Sequence, residues 1–103
     1  MRFCKSMGAS KPDVLIHDVL IHEYPATVKD GDVTYTVRIY GSERPDHTWE
    51  GWVEFHPTDN SKPVLRTGQE TSQPNRNTIE YWALGLEPVY LEGAFARAAG
   101  RLL

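Results

Sequence analysis

Several features that define major protein classes are scarce or missing in these 103 residues. A single cysteine, Cys4, leaves no partner for an intramolecular disulfide, which excludes a disulfide scaffold and fits a reducing compartment. No apolar run approaches the ~18 residues that a membrane-spanning helix needs, and no apolar segment typical of a secretory signal follows the basic residues near the start. We therefore expect a cytoplasmic protein without a membrane partner.

Motifs of metal, cofactor and nucleophile chemistry are also missing, including glycine-rich phosphate loops, Gly-x-Ser-x-Gly elbows and His-x-x-x-His pairs. His17 and His22 are five residues apart, which puts them on different faces of a strand or a helix. Glu50 and Glu54 share a strand face, but roughly 13 Å of backbone separates them, more than the two carboxylates of a glycosidase tolerate. We expect no metal, no cofactor and no catalytic residue.

The residues that are present suffice for one small domain. Three Trp, five Tyr and three Phe, within a 40% hydrophobic composition, can form a core. Net charge is +3 over residues 1–11, −7 over 12–59 and +1 over 60–103. The acidic, strand-rich part repels phosphates and disfavours a nucleic-acid partner. Residues 1–12 lack periodicity and are predicted to be a mobile tail before a single domain over 13–103.

Alternation of apolar and polar residues predicts strands in the first two thirds of the chain. The repeat VLIHD-VLIHE leaves residues 14–20 open between strand and helix, with the first strand predicted at 21–28. The Asp30-Gly31 turn leads into a strand over 33–40, and a loop over 41–46 follows. In the next strand, over 48–56, the odd-numbered residues form the core face. A third or fourth strand is predicted from Val64 onward.

The hydrophobic period then changes to that of a helix. Apolar residues at i, i+3, i+4 and i+7 from Ile79 predict a helix near 75–84, starting at Asn77 or at the rival Ser72 and ending at Gly85. Residues 88–99 fit both periods, although the Ala-rich end favours helix, with 89–91 as a strand option. The pattern predicts an α+β fold, an antiparallel β-meander of three to four strands followed by one helix and a short C-terminal strand or helix segment.

Trp52 is unusual because it lies on the nominally polar face of its strand, between Glu50 and Glu54. An exposed Trp often marks a contact surface, whereas a helix or the tail covering it would make it structural. If Trp52 is exposed, we expect an interaction patch of Arg38, Tyr40, Trp52 and Glu54, for another protein or a second copy of the chain.

A run of polar side chains over residues 65–76 precedes the predicted helix. Free N–H groups at a helix start attract anions, so this segment is a candidate recognition loop that could act with His56. Strand ends, turns and helix caps call for the same residue types, which is the structural alternative. The candidate loop residues are Arg66, Thr67, Gln69, Thr71, Gln73 and Asn75.

The runs TWEGWVEF (48–55), LRTGQETSQPNR (65–76), YWA (81–83) and LEPVYLEGAF (86–95) resemble a family of small uncharacterised bacterial proteins. The resemblance covers roughly residues 20–98, with residues 1–19 resembling an added N-terminus. It implies a bacterial, cytoplasmic, single-domain protein and carries no activity, cofactor or catalytic residue.

Two functions from different classes remain. The favoured one is a non-catalytic protein-binding or self-associating module, because an aromatic-bearing sheet face occurs without an assembled catalytic set. The alternative is a small-molecule-binding protein or a small enzyme that uses the Arg66–Asn75 polar loop.

Overall fold

The computed structural model describes residues 18–101, which form an antiparallel sheet with two helices and so confirm the predicted α+β meander. The tail predicted for residues 1–12, its boundary with the domain and the choice between strand and helix for 14–17 lie outside the described residues. The elements are β1 (Val19–Asp30), β2 (Val33–Glu43), β3 (Trp49–Pro57), β4 (Leu65–Arg66), β5 (Thr71–Gln73), α1 (Arg76–Leu84) and α2 (Pro88–Ala98).

The sheet has the order β1-β2-β3-β4, and β5 also pairs with β3. Gly31 makes the β1–β2 turn with φ of 61°, in the left-handed region that glycine tolerates best. Each of the first two strands is longer than predicted. The loop predicted from residue 41 is wrong at its start, because Gly41 and Ser42 continue the ladder opposite Gly51 and Glu50.

The sheet edge next to β3 is interrupted, because two short strands, β4 and β5, pair with different parts of β3. After β4, the backbone N–H of Thr67 donates to the Val53 carbonyl at 3.0 Å, and that of Glu70 donates to the Gly51 carbonyl at 2.8 Å. β5 then resumes pairing with Trp49 to Gly51. Part of the predicted polar loop is therefore edge strand, and β5 is an element that the sequence did not predict.

The core lies between one sheet face and the helices. Val37, Ile39, Val53 and Phe55 are at most 1% exposed, and the last two agree with the predicted core face of β3. The Phe95 ring of α2 packs edge-on against Phe55 at a centroid distance of 5.1 Å. Both helices thus lie against the side chains of alternate strand residues, and the remaining alternate residues point away from them.

α1 lies within the predicted range near 75–84, but its cap is two residues before the predicted Asn77. Asn75 is the N-cap, and its side chain accepts a hydrogen bond from the Thr78 N–H at 3.0 Å while the Thr78 hydroxyl accepts from the Asn75 N–H at 3.4 Å. Asn77 lies inside the first turn and Ser72 lies in β5, so both predicted starts are wrong. Gly85 is confirmed as the C-cap.

α2 starts directly at Pro88, whose fixed φ suits the first helical position. Residues 89–91 are helical, so the strand option for them is wrong. Within residues 18–101, neither helix has the length and apolar character required to cross a membrane.

Candidate functional site

Opposite charges alternate across the sheet face that points away from the helices. The strand register places Glu23, Arg38, Glu54 and Arg66 side by side on β1, β2, β3 and β4. The Arg38 Nε donates to the Glu23 carboxylate at 2.8 Å. This hydrogen bond raises the pKa of Arg38. Cross-strand pairs of this kind stabilise a sheet and fix its register.

Glu54 is the centre of a cluster on this open face. Its carboxylate accepts a hydrogen bond from the Trp52 indole N–H at 2.8 Å and lies 2.9 Å from the His56 Nε2. The Arg66 guanidinium sits 4.0 Å from the centroid of the Trp52 ring, and Tyr40 stacks on His56 with centroids 6.1 Å apart. The cluster therefore combines a carboxylate, an imidazole and a cation–π pair in one fixed arrangement.

Trp52 is only 1% exposed, so the condition on which the predicted interaction patch depended is not met. It is not covered by the helices, because its neighbour Val53 is the residue that faces them. The indole N–H is satisfied by Glu54 and the ring lies against Arg66. The structure does bring the four predicted patch residues onto one face, but the tryptophan anchors that face instead of presenting a surface to a partner.

The candidate polar loop is used to build the sheet edge. Thr67, 4% exposed, accepts a hydrogen bond from the Val53 N–H at 3.1 Å and donates to the Gly68 carbonyl at 2.9 Å. Thr71 accepts from the Gln73 amide at 2.7 Å. With Asn75 capping α1 and Arg66 on Trp52, these predicted loop residues have structural partners, as the structural alternative requires.

Arg44 completes the same edge from the β2–β3 loop. It donates to the Gln69 side-chain oxygen at 2.7 Å, to the Ser72 hydroxyl at 2.8 Å and to the Thr48 hydroxyl at 3.2 Å, and it lies 3.9 Å from the Glu50 carboxylate. The sequence reasoning did not single out Arg44. No local pattern could have linked Arg44 to the sheet edge, because Gln69 and Ser72 lie 25 and 28 residues further along the chain.

Glu70 joins this edge to α2. Its carboxylate accepts hydrogen bonds from the Tyr90 hydroxyl and, at 2.7 Å, from Arg97. Burial, followed by the hydrogen bond that Tyr90 donates to Glu70 and the negative charge of Glu70, raises the pKa of Tyr90 to about 12. The prediction omitted Glu70, although it is the single acidic residue in the 65–76 run and Tyr90 and Arg97 lie two helical turns apart.

Three large apolar side chains are exposed where α1 is followed by α2. Tyr81 is 81% exposed, Leu84 66% and Val89 71%. They fall within nine consecutive residues, and we call them the helix-junction patch. The Arg76–Glu80 ion pair, 3.3 Å long, flanks the patch on α1.

A cleft runs between β1 and the start of α2. It contains an apolar chamber of about 250 Å³, with Tyr24, Val28, Val37 and Leu91 among its lining residues. A second chamber of about 310 Å³ adjoins it and is lined in part by Lys29, Glu92, Phe95 and Arg101. None of the six predicted loop residues lines either chamber, which counts against the Arg66–Asn75 loop as a ligand site.

The Tyr24 side chain fixes one wall of this cleft by donating a hydrogen bond to the Ala83 carbonyl at the end of α1. Burial, with a smaller contribution from Tyr90, raises the pKa of Tyr24 to about 12. Among residues 18–101, no group of three or more His, Cys, Asp or Glu side chains is placed to hold a metal ion.

Comparison with known proteins gives no assignment, since no family model, no curated protein and no solved structure matches the chain. The resemblance to small bacterial proteins therefore stays a prediction. The functional argument depends on the geometry of the described residues.

Proposed function

We propose that the chain is a non-catalytic module that binds a second copy of itself through the helix-junction patch. The observation that carries this proposal is the group of three large apolar side chains, 66% to 81% exposed, within residues 81–89. A bacterial, cytoplasmic setting belongs to the same proposal and is supported by the family resemblance and by the presence of a single cysteine in the sequence.

Exposure of these side chains favours an interface. Each Å² of apolar surface removed from water stabilises an assembly by roughly 25 cal/mol. A single exposed apolar residue needs no explanation, but several neighbouring ones mark contact surfaces, and Tyr is enriched among the residues that dominate binding energy. Tyr81 and Leu84 are one helical turn apart, so they lie together on the outer face of α1.

A second copy is the partner that fits the chemistry of this patch. The flanking charges of Arg76 and Glu80 neutralise each other, and Glu87 is the single charged residue within 81–89, so apolar contact dominates the recognition of a partner. In a twofold contact the same surface meets itself, and apolar Tyr81 and Leu84 then face apolar counterparts.

A non-catalytic role is supported by how the reactive groups are used. His56 is held between Glu54 and Tyr40, and its carboxylate partner also holds Trp52. Glu70 is occupied by Tyr90 and Arg97. These groups stabilise the fold, and neither cluster lines the β1–α2 cleft, where a substrate could be enclosed.

Sedimentation velocity from about 5 to about 500 μM protein tests the proposal. We expect a monomer–dimer equilibrium that Leu84→Ser weakens by about tenfold or more. Val64→Ser is the matched control, because Val64 is also an exposed apolar residue, at 48%, but lies in the β3–β4 loop. A wild-type chain that stays monomeric throughout, or an equal loss in Val64→Ser, would overturn the proposal. Circular dichroism verifies that both variants fold.

A further inference from the structure

The apolar chamber of the β1–α2 cleft adjoins the helix-junction patch. Leu86 and Pro88 line the chamber and follow Leu84 of the patch by two and four residues. On the β1 side of the chamber, the Tyr24 hydroxyl donates a hydrogen bond to the carbonyl of Ala83, the residue before Leu84. The end of α1 therefore belongs to both features, and a partner that covers the patch lies beside the mouth of the chamber.

β1 is irregular where it lines this chamber. Its register against β2 shifts between Glu23 and Thr27, so that three residues of β1 stand opposite Val37 alone. Bulges bend a strand and are frequent next to binding sites. Val37 is 1% exposed and belongs to the core, yet it lines the chamber, which therefore reaches from the surface down to the core.

The chamber has the size and the walls that an aromatic ring requires. Its volume is about 250 Å³, and an apolar cavity of roughly 150 Å³ already holds benzene. Val28 lies opposite Tyr35, a core residue, which places the Val28 side chain on the helix-facing side, and Leu91 is 9% exposed. These walls are held by the fold, so a ring can enter without rearrangement of the core.

Tyr81 is the side chain in residues 18–101 that best fits this chamber. It is 81% exposed, the most exposed of the large apolar side chains in that range and the one aromatic ring among the exposed ones. It lies on the outer face of α1, whereas the chamber lies on the side of the helices that faces β1, so a ring that fills the chamber must come from another copy. In a twofold contact each copy supplies one ring and one chamber, so both rings are buried together.

We propose that, in the dimer, the Tyr81 ring of each copy fills the apolar chamber of the other. This inference rests on the proposed self-association and identifies the site that receives the patch. Leu84 then contacts the inserted ring at the mouth of the chamber. The chamber shares Thr27 and Val28 with the adjoining chamber of about 310 Å³, so the hydroxyl of the inserted ring is not enclosed by apolar walls.

4-Methylphenol, which reproduces the tyrosine side chain, tests whether the chamber accepts this ring. In ¹H–¹⁵N NMR spectra of the labelled Leu84→Ser chain, we expect saturable shifts at Thr27, Val28 and Leu91, with Kd of roughly millimolar for so small a ligand. At about ten times its Kd, the compound should weaken the wild-type dimer by about tenfold or more in sedimentation velocity, because it competes with Tyr81. Absence of saturable shifts at the chamber, or a dimer that the compound leaves unchanged, would overturn the inference.

Variants separate the chamber from the patch. Val28→Phe narrows the chamber without changing the patch, and should weaken the dimer by about tenfold. Val33→Phe is the matched control, because Val33 also packs against the core from a strand but lines neither chamber. Tyr81→Phe keeps the ring and should dimerise like wild type, whereas Tyr81→Ser should weaken the dimer by about thirtyfold or more.

The outcomes distinguish this inference from the proposed self-association. A dimer that Leu84→Ser weakens but that is as tight in Val28→Phe as in wild type would overturn the inference and leave self-association standing. A wild-type chain that stays monomeric would overturn both. Circular dichroism verifies that each variant folds, and if Val28→Phe does not, the competition by 4-methylphenol decides.

Discussion

The two faces of the sheet are formed by alternate residues of the same strands, but different forces hold them. On the helix-facing side, Val37 and Phe55 are at most 1% exposed and belong to the same core cluster as Phe95. On the open side, Arg38 and Glu23 form an ion pair whose side chains are 32% and 49% exposed. Full burial of one large apolar side chain stabilises a fold by about 1.5–3 kcal/mol, whereas an exposed ion pair contributes about 0–1 kcal/mol.

This difference indicates which side of the sheet stabilises the fold and where a contact surface is expected. The helix-facing side supplies most of the free energy of folding, and the open side supplies a polar surface whose groups bond mainly to one another. The most exposed large apolar side chains lie elsewhere, on the outer surface of the helices at Tyr81, Leu84 and Val89. A polar face with satisfied groups gains little from a new partner, so the contact surface is expected on the helices.

The largest effect is expected from Phe95→Ala, which removes a ring in contact with Tyr35 and Phe55. We expect the free energy of unfolding in urea to fall by about 3–5 kcal/mol, a large part of the stability of a small domain. Val89→Ala, on the same helix but exposed, should change it by less than about 0.5 kcal/mol. Similar losses in the two variants would show that the helix-facing side does not dominate folding.

The second largest effect is expected at high pH, where ionisation of Tyr24 and Tyr90 should lower the free energy of unfolding. The pKa values of Tyr24 and Tyr90 are raised from 10.0 to about 12 in the folded chain. Their contribution is therefore complete below pH 10 and is lost as pH rises from 10 to about 12, because the unfolded chain loses these protons first.

The measurement is the urea midpoint at about pH 9 and about pH 11.5, for wild type, Tyr24→Phe with Tyr90→Phe, and the control Tyr81→Phe. The double variant should lose less stability between the two pH values than wild type does. The Tyr81→Phe chain should behave like wild type, since Tyr81 makes no hydrogen bond within residues 18–101. If the double variant loses as much stability as wild type between the two pH values, Tyr24 and Tyr90 are not the cause of the loss.

A smaller effect is expected on the open side from Glu54→Ala. This change removes the acceptor of the Trp52 indole N–H and the partner of His56, and should cost about 1–2 kcal/mol. Tryptophan fluorescence should shift to longer wavelength as water reaches the indole. Glu80→Ala, which breaks only the exposed pair with Arg76, should cost at most about 0.5 kcal/mol. Equal costs would mean that the Glu54 cluster is no more than an exposed ion pair.

The smallest effect is expected from Arg38→Gln, which removes the exposed pair with Glu23. The expected loss is at most about 1 kcal/mol and should shrink at about 1 M salt, where exposed charges are screened. Urea unfolding at low and high salt provides the comparison. A salt-independent loss above about 2 kcal/mol would show that a pair on the open side contributes as much to the free energy of unfolding as a buried core side chain does.

The same contrast explains what could be predicted from the sequence. β2 and β3 alternate clearly because each has one face under the helices, and α1 shows its period for the same reason. β4 and β5 have only two and three residues, and backbone hydrogen bonds from Thr67 and Glu70 hold the connection between them. Hydrogen bonds of this kind leave no hydrophobic pattern in the sequence.

The candidate site was harder to predict because its features depend on distant contacts. The sequence correctly placed Trp52 opposite the core face, but its burial depends on Arg66, which follows fourteen residues later, and on the conformation of Glu54. The β1–α2 cleft depends on the register shift around Pro25, and strand periodicity does not show where a strand bulges.

The most direct test of self-association through the helix-junction patch is an isotope-filtered NOE experiment on a mixture of ¹³C-labelled and unlabelled chains. The account predicts intermolecular NOEs between the Leu84 methyl groups of one copy and the Tyr81 ring of the other. Such NOEs should disappear in Leu84→Ser and persist in Val64→Ser. Intermolecular NOEs confined to the open face around Tyr40 and His56, or none at the highest concentration reached, would contradict it.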